Sequence, residues 1–218
     1  MTRASTIDDI ARKLGVSKST VSRGLAGSGR ISAETRRRIR SAAKSLHYEP
    51  NYLARSLSKK KTLAVGVILE DIMNPFFTEV AKGIQTALAA RGYTMLLTSS
   101  GYVPGTELEL ARTMLRYKVD GVLITLVAAD SESVRLLRSR HVPFFMMNEK
   151  TADREVNWID SDNIAGGTLA AEHLLGLGHR DFLVLRNGTL HGTADRFEGL
   201  RAALEGRGLS MADQVVLD

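Results

Sequence analysis

Cysteine is absent from this 218-residue chain, which excludes disulfides, thiolate metal sites and cysteine nucleophiles. No apolar run reaches the ~20 residues needed to cross a bilayer. Met1 to Ile10 is polar and acidic where a secretory signal would be basic and then apolar, so a cytoplasmic protein is expected. The motifs of the common enzyme chemistries are missing too. No G-x-G-x-x-G joins the first predicted strand to its helix; Glu70-Asp71-Ile72-Met73-Asn74-Pro75 stands there and would repel a pyrophosphate. No H-E-x-x-H or G-x-S-x-G occurs, and His47, His141, His173, His179 and His191 form no ligand-spaced pair. Catalysis, a metal and a cofactor are therefore not expected.

What is present is the balance of a globular protein, 44% hydrophobic and 25% charged, in a chain long enough for a small domain and a larger one. The net charge of +6 hides an asymmetry. Met1 to Lys61 carries 15 Lys and Arg against 4 Asp and Glu, a net of +11; the remainder is at −5. A basic head on an acidic body is the electrostatic footprint of a nucleic-acid-binding domain.

Three short helices are predicted in the head. Thr6 offers an N-cap hydroxyl with Asp9 three residues on, a variant of the capping box. Ile7, Ile10, Ala11 and Leu14 then form one apolar stripe, stopped by Gly15. Ser17 caps a second helix from Lys18 to about Leu25, which buries Val21 and Leu25. Ser32 opens a third, with Ile39, Ala42, Ala43 and Leu46 at the same spacing. Two helices around a glycine-containing turn, propped by a third, make a helix-turn-helix. The second helix turns Lys18, Ser19, Ser22 and Arg23 away from the core, as a helix lying in the major groove requires. Lys or Arg there reads guanine acceptors, while hydroxyls such as Ser17 and Thr20 at the helix start suit phosphates. A small helical domain that binds protein has the same bare pattern; the charge favours DNA.

Ile7 through Arg23 (IDDIARKLGVSKSTVSR) resembles the N-terminal signature of the lactose-repressor/galactose-repressor family, and Tyr48 through Leu57 (YEPNYLARSL) is similar to that family's hinge. The resemblance implies that Lys18, Ser19 and Arg23 read bases and that Leu57 wedges into the minor groove. Physically, Pro50 ends the third helix and Asn51 caps a short helix to Leu57. Two turns fall far below the ~12–15 residues at which an isolated helix is even marginal, so this hinge is expected to fold only when paired on DNA. Ala26 and His47 depart from the family pattern; His tolerates the left-handed region better than most residues.

Beyond Lys61 the texture alternates. Strands are predicted at Leu63 to Leu69, Tyr93 to Thr98, Gly121 to Thr125, Pro143 to Met147, around Trp158, and at Asp181 to Leu185. Helices are predicted at Pro75 to Arg91, Glu107 to Tyr117, Ser131 to Arg140, Asn163 to Leu177 and Asp195 to Arg207. This order means βαβ units and a parallel sheet. Ligands of such sheets bind beyond the carboxyl ends of the strands, which nominates Glu70 to Phe77 (with Asp71), Ser99 to Tyr102, Asn148, Asp160 and Arg196. Asp71-Ile72-Met73-Asn74-Pro75-Phe76-Phe77, Val119-Asp120-Gly121, Asp162 to Gly166, Gly178-His179-Arg180 and Arg196 to Leu200 are segments similar to the same family. The resemblance implies effector contacts at Phe77, Asp160 and Arg196, though both Phe76 and Phe77 equally suit a core.

The fold expected is α/β: an N-terminal helix-turn-helix (lambda-repressor-like) domain at 1–50, a hinge at 51–62, and a periplasmic-binding-protein-like body. The body has a first subdomain at 63–160 and an incomplete second at 161–218, which reads as a fragment or a truncated chain. The function expected is a repressor, a homodimer on a palindromic double-stranded DNA operator, controlled by a small effector of sugar or nucleoside type. A transport-type sugar-binding protein and a ligand-blind DNA binder are the remaining alternatives.

Overall fold

The computed structural model describes residues 5–49, 61–128, 130–151, 153–185 and 191–217. It divides into two compact units, 1–60 and 61–218. The first holds α1 (Ile7–Leu14), α2 (Lys18–Ala26) and α3 (Ala33–Ser45). Their starts are fixed by local chemistry. The Asp9 carboxylate accepts from both the Thr6 backbone N–H and the Thr6 hydroxyl, at 2.9 and 2.8 Å. Ser17 accepts from Thr20 N–H and Ser32 from Thr35 N–H, each at 3.1 Å. Gly15 ends α1 in the left-handed region at φ 66°. His47 adopts φ 47° just past α3, as expected of it. Ile10, Val21 and Ile39 are fully enclosed at the centre of the three helices, each contributing roughly 1.5–3 kcal/mol. A Cβ on Gly24 would lie 2.5 Å from the Ile39 side chain, so α2 and α3 cross at their closest there.

The second unit contains a five-stranded parallel sheet of order β2-β1-β3-β4-β5. Its strands are β1 (Ala64–Leu69), β2 (Thr94–Ser99), β3 (Gly121–Ile124), β4 (Phe144–Met147) and β5 (Trp158–Ile159). Helices α4 (Pro75–Ala89), α5 (Pro104–Arg116) and α6 (Glu132–Ser139) connect them. Alternation along β1 assigns its two faces. Ala64 and Ile68 join a core with Ala111, Met114 and Leu137, whereas Val67 and Leu69 join one with Phe77 and Ala81. Asp120, just before β3, clamps the start of β1: its carboxylate accepts from Thr62 N–H at 2.8 Å and Leu63 N–H at 2.9 Å.

Beyond β5 come α7 (Asn163–Gly176), β6 (Leu183–Leu185), α8 (His191–Glu205), a 3-10 turn (Met211–Asp213) and β7 (Val215–Leu217). Strands β6 and β7 pair in parallel as a separate two-stranded sheet. Helices α7 and α8 pack through glycine. A Cβ on Gly167 would stand 1.9 Å from the Arg196 carbonyl oxygen, and one on Gly199 would stand 2.0 Å from that of Ile164.

Two helices start earlier than their sequence pattern suggested. Helix α5 begins at Pro104 rather than Glu107, because proline is preorganised for the first helical position even without a capping side chain. Helix α8 begins at His191 rather than Asp195, its first turn including Gly192 and Thr193, which carry little helical signal. The hinge residues Asn51 and Leu57 lie outside the described residues.

Candidate nucleic-acid interface and ligand cleft

Burial of Val21 and Gly24 sets the rotation of α2. Lys18, Ser19, Ser22 and Arg23 are consequently exposed on its far side, with Thr20 partly covered. Ser17 is committed to the helix start: its hydroxyl lies 2.8 Å from both the Ser19 and Thr20 hydroxyls. Thr6 is committed likewise at α1. Arg23 is preset, its Nε donating to the Ser19 carbonyl at 3.2 Å. Its stem crosses Gly29, where an added Cβ would come within 3.1 Å of Arg23 Cδ. Lys18 Nζ pairs with Asp8 Oδ1 of α1 at 2.6 Å, an arrangement the sequence pattern did not signal. Both side chains are substantially exposed, and such pairs are worth about 0–1 kcal/mol, so Lys18 can exchange Asp8 for another partner at little cost.

In the second unit, strand order places the neighbours of β1 on opposite sides of it, with β2 and β3 reached by successive crossovers. The connections leaving β1 and β3 therefore diverge and open a crevice at their carboxyl ends. The structure has a cleft of about 230 Å³ there, smaller than drug-sized ligand sites usually are. Its floor comes from residues following the strands: Glu70 after β1, Leu126 and Val127 after β3, Asn148 and Glu149 after β4. Phe76, Phe77 and Tyr102 form aromatic walls, and Thr193 and Arg196 of α8 close the far side. The two phenylalanine rings meet edge to face, with centroids 5.2 Å apart.

Of the sequence-nominated ligand residues, Phe77 and Arg196 line the cleft together. Phe77 also belongs to the core under α4, so the more accessible ring is Phe76, 47% exposed. Asp71 and Asp160 are not among the lining residues. Asp71 Oδ1 accepts from Met73 N–H at 2.8 Å within its own turn. Asp160 accepts from Ser161 N–H at 2.7 Å and from the Asn163 side chain at 3.1 Å, ordering the approach to α7. The sequence pattern does not single out Glu149, Leu126, Val127 or Thr193, which also line the cleft, although the first three obey the same rule of following a strand.

The electrostatics of the floor are unusual. Glu70, Glu107 and Glu149 are all buried. Glu107 is satisfied, accepting from the Ser131 hydroxyl at 2.5 Å and Val127 N–H at 2.8 Å. Burial, then the charges of Glu149 and Glu107, push the Glu70 carboxyl up to about 7. Next to Glu149 in the chain, Lys150 pairs with Asp195 of α8, and that hydrogen bond foremost holds its ammonium above the usual lysine range.

Comparison with known proteins agrees with this division. Residues 6–51 match the profile of bacterial regulatory proteins of the lacI family. Residues 62–218 match that of periplasmic binding proteins and the sugar-binding domain of the LacI family. The HTH-type transcriptional regulator DegA of Bacillus subtilis (strain 168) is 31% identical over 98% of this chain and 64% of its own length. The ribose operon repressor of Escherichia coli (strain K12) is 32% identical over 96% of this chain and 64% of its own. This chain thus spans less than two thirds of these relatives. A Lac repressor dimer bound to operator and an anti-inducer superposes with a TM-score of 0.85 at 22% identity, over 99% of this chain and 66% of that one, a likeness of fold. Among the described residues no helix is long and apolar enough to cross a membrane. A helix-turn-helix head and a ligand-cleft body, matched in order along nearly all of its residues, show that the chain belongs to the LacI family.

Proposed function

We propose that this chain is a cytoplasmic, sequence-specific DNA-binding regulator, a repressor whose hold on DNA responds to a small ligand in the cleft. It acts through binding rather than catalysis. The observation that carries this reading is the rotation of α2: with Val21 and Gly24 inside, Lys18, Ser19, Ser22 and Arg23 face outward within the first 61 residues, which carry a net charge of +11. In this reading Lys18 and Arg23 meet base edges, while Ser17, Ser19, Thr20, Ser22 and the α1 start at Thr6 meet the backbone. Asn51 and Leu57 form the hinge contact. The working parts are a DNA-binding head at 1–50, a hinge at 51–62, a first ligand subdomain at 63–160 and part of a second at 161–218. Phe77 and Arg196 contact the ligand directly; Asp71 and Asp160 act through the turns they order. The ligand is of sugar or nucleoside type, in keeping with the ribose operon repressor among the relatives. The partner is a second copy of the chain on a palindromic duplex.

Selection from a random duplex pool at physiological salt tests this. The expected result is a palindrome of two half-sites, with Arg23→Ala losing about 1–3 kcal/mol of discrimination at one position per half-site. Retention of duplex without any enriched sequence would sink the reading for this chain.

A further inference from the structure

The Glu70 side chain is out of place for a floor residue. It is 3% exposed, yet no hydrogen bond from any described residue reaches its carboxylate. Buried carboxylates are ordinarily paired or hydrogen-bonded, because leaving one bare costs several kcal/mol. Glu107, equally buried, follows that rule through Ser131 and Val127; Glu70 lines the cleft with no such donor among the described residues, its carboxylate open to whatever the cleft holds. Glu149 stands beside it on the same floor, and Phe76 and Tyr102, 47% and 41% exposed, flank the opening. Among the described residues lining the cleft, Arg196 is the one cation.

We propose that the cleft takes a monosaccharide-sized, hydroxylated ligand bearing a protonated amine, its ammonium held by Glu70 with Glu149 alongside and an aromatic face against its frame. The inference rests on the ligand-responsive reading above and narrows it to an amine such as an amino sugar. Three chemistries compete for the cleft. A phosphate ester would be drawn to Arg196 but would bring its charge against two carboxylates. A neutral sugar donates hydroxyls to Glu70 yet leaves its charge uncompensated. An ammonium supplies donors and charge together and is also attracted to aromatic faces. Burial and the charges of Glu149 and Glu107 hold the empty Glu70 carboxyl up near 7. A cation there reverses that, so binding expels a proton wherever Glu70 begins protonated.

Thermal shift of the 218-residue chain against matched sets checks the assignment: glucose, galactose and mannose, their 2-amino-2-deoxy forms, and their 6-phosphates, at neutral pH. The expected outcome is stabilisation by one or more amines beyond the matching neutral and phosphorylated members. Glu70→Gln is expected to weaken that binding by roughly 30-fold or more, with Glu149→Gln in the same direction and the duplex-pool palindrome unchanged in both. Calorimetry in two buffers should show a proton released on binding to the wild type and none with Glu70→Gln. Stabilisation by neutral or phosphorylated members in preference to amines, or by no amine at all, overturns the inference. The regulator reading would survive that result, since it falls only with loss of the palindrome.

Discussion

Strands β1 and β6 are made of the same kinds of residue and meet opposite fates. In β1, Val67, Ile68 and Leu69 are wholly enclosed, because the five-stranded sheet has α4 on one face and α5 and α6 on the other. In β6, Leu183 and Leu185 are 63% and 72% exposed, and Val215 and Leu217 of β7 are likewise open. Among the described residues it is the opposite face that is covered, where Phe182 and Val184 pack with Leu175 of α7 and Leu200 and Leu204 of α8. An apolar strand states what burial it requires; topology decides how much of it is met.

Substitutions can break that comparison. Ile68→Ala is expected to cost about 2–5 kcal/mol in urea unfolding of the second unit, as cavity formation does in an enclosed core. Its counterpart Leu185→Ala should stay within about 0.5 kcal/mol; equal losses at the two positions would abolish the distinction.

Enclosure also has a pH signature. The folded chain holds the Glu70 proton up to about pH 7, whereas the unfolded chain releases it near the ordinary carboxyl value of 4.5. Stability conferred by that proton is complete below about pH 4.5 and is lost as pH rises through about 7. Glu70→Gln should flatten this fall, gaining on the order of 2–3 kcal/mol over wild type at pH 8 and little at pH 4. A wild-type profile as flat as the variant's would contradict the placement of Glu70.

The open sheet is held instead by its helices. Gly167→Ala is expected to cost about 1–3 kcal/mol by driving α7 from the Arg196 carbonyl. The same shift should displace Arg196 and weaken ligand binding. Unchanged ligand affinity would show that the α7–α8 contact does not set the position of that guanidinium.

The parts legible in the sequence are those written in short-range chemistry. Ser17, Ser32, Gly15 and His47 mark helix ends through contacts within four residues, so the head could be read almost in full. The order of strands and helices followed from periodicity, and the carboxyl-end rule led to Glu70, Asn148 and Phe77. Less visible was how far each loop turns inward. Leu126 and Val127 follow β3 just as Asn148 follows β4, but only packing shows that they reach the cleft. Asp71 and Asp160 hydrogen-bond local backbone and side-chain groups and are not among the described residues lining the cleft, which their place after strands did not foretell. The Lys18–Asp8 pair and the isolation of Glu70 depend on how distant elements approach, which no local pattern encodes.

The Asp120 clamp carries a mechanical consequence. Leu63 sits at φ 51°, a conformation that bulky side chains avoid, and the carboxylate that grips its N–H also grips Thr62 on one side while leading directly into β3 on the other. The chain therefore enters the sheet without slack. Residues 62 and 63 are tied to the start of β3 as firmly as to β1, the two strands followed by Glu70 and by Leu126 and Val127 in the cleft. β1 and β3 are thus joined along their whole pairing, at the start through Asp120 and onward through the register from Val65–Gly121 to Ile68–Ile124.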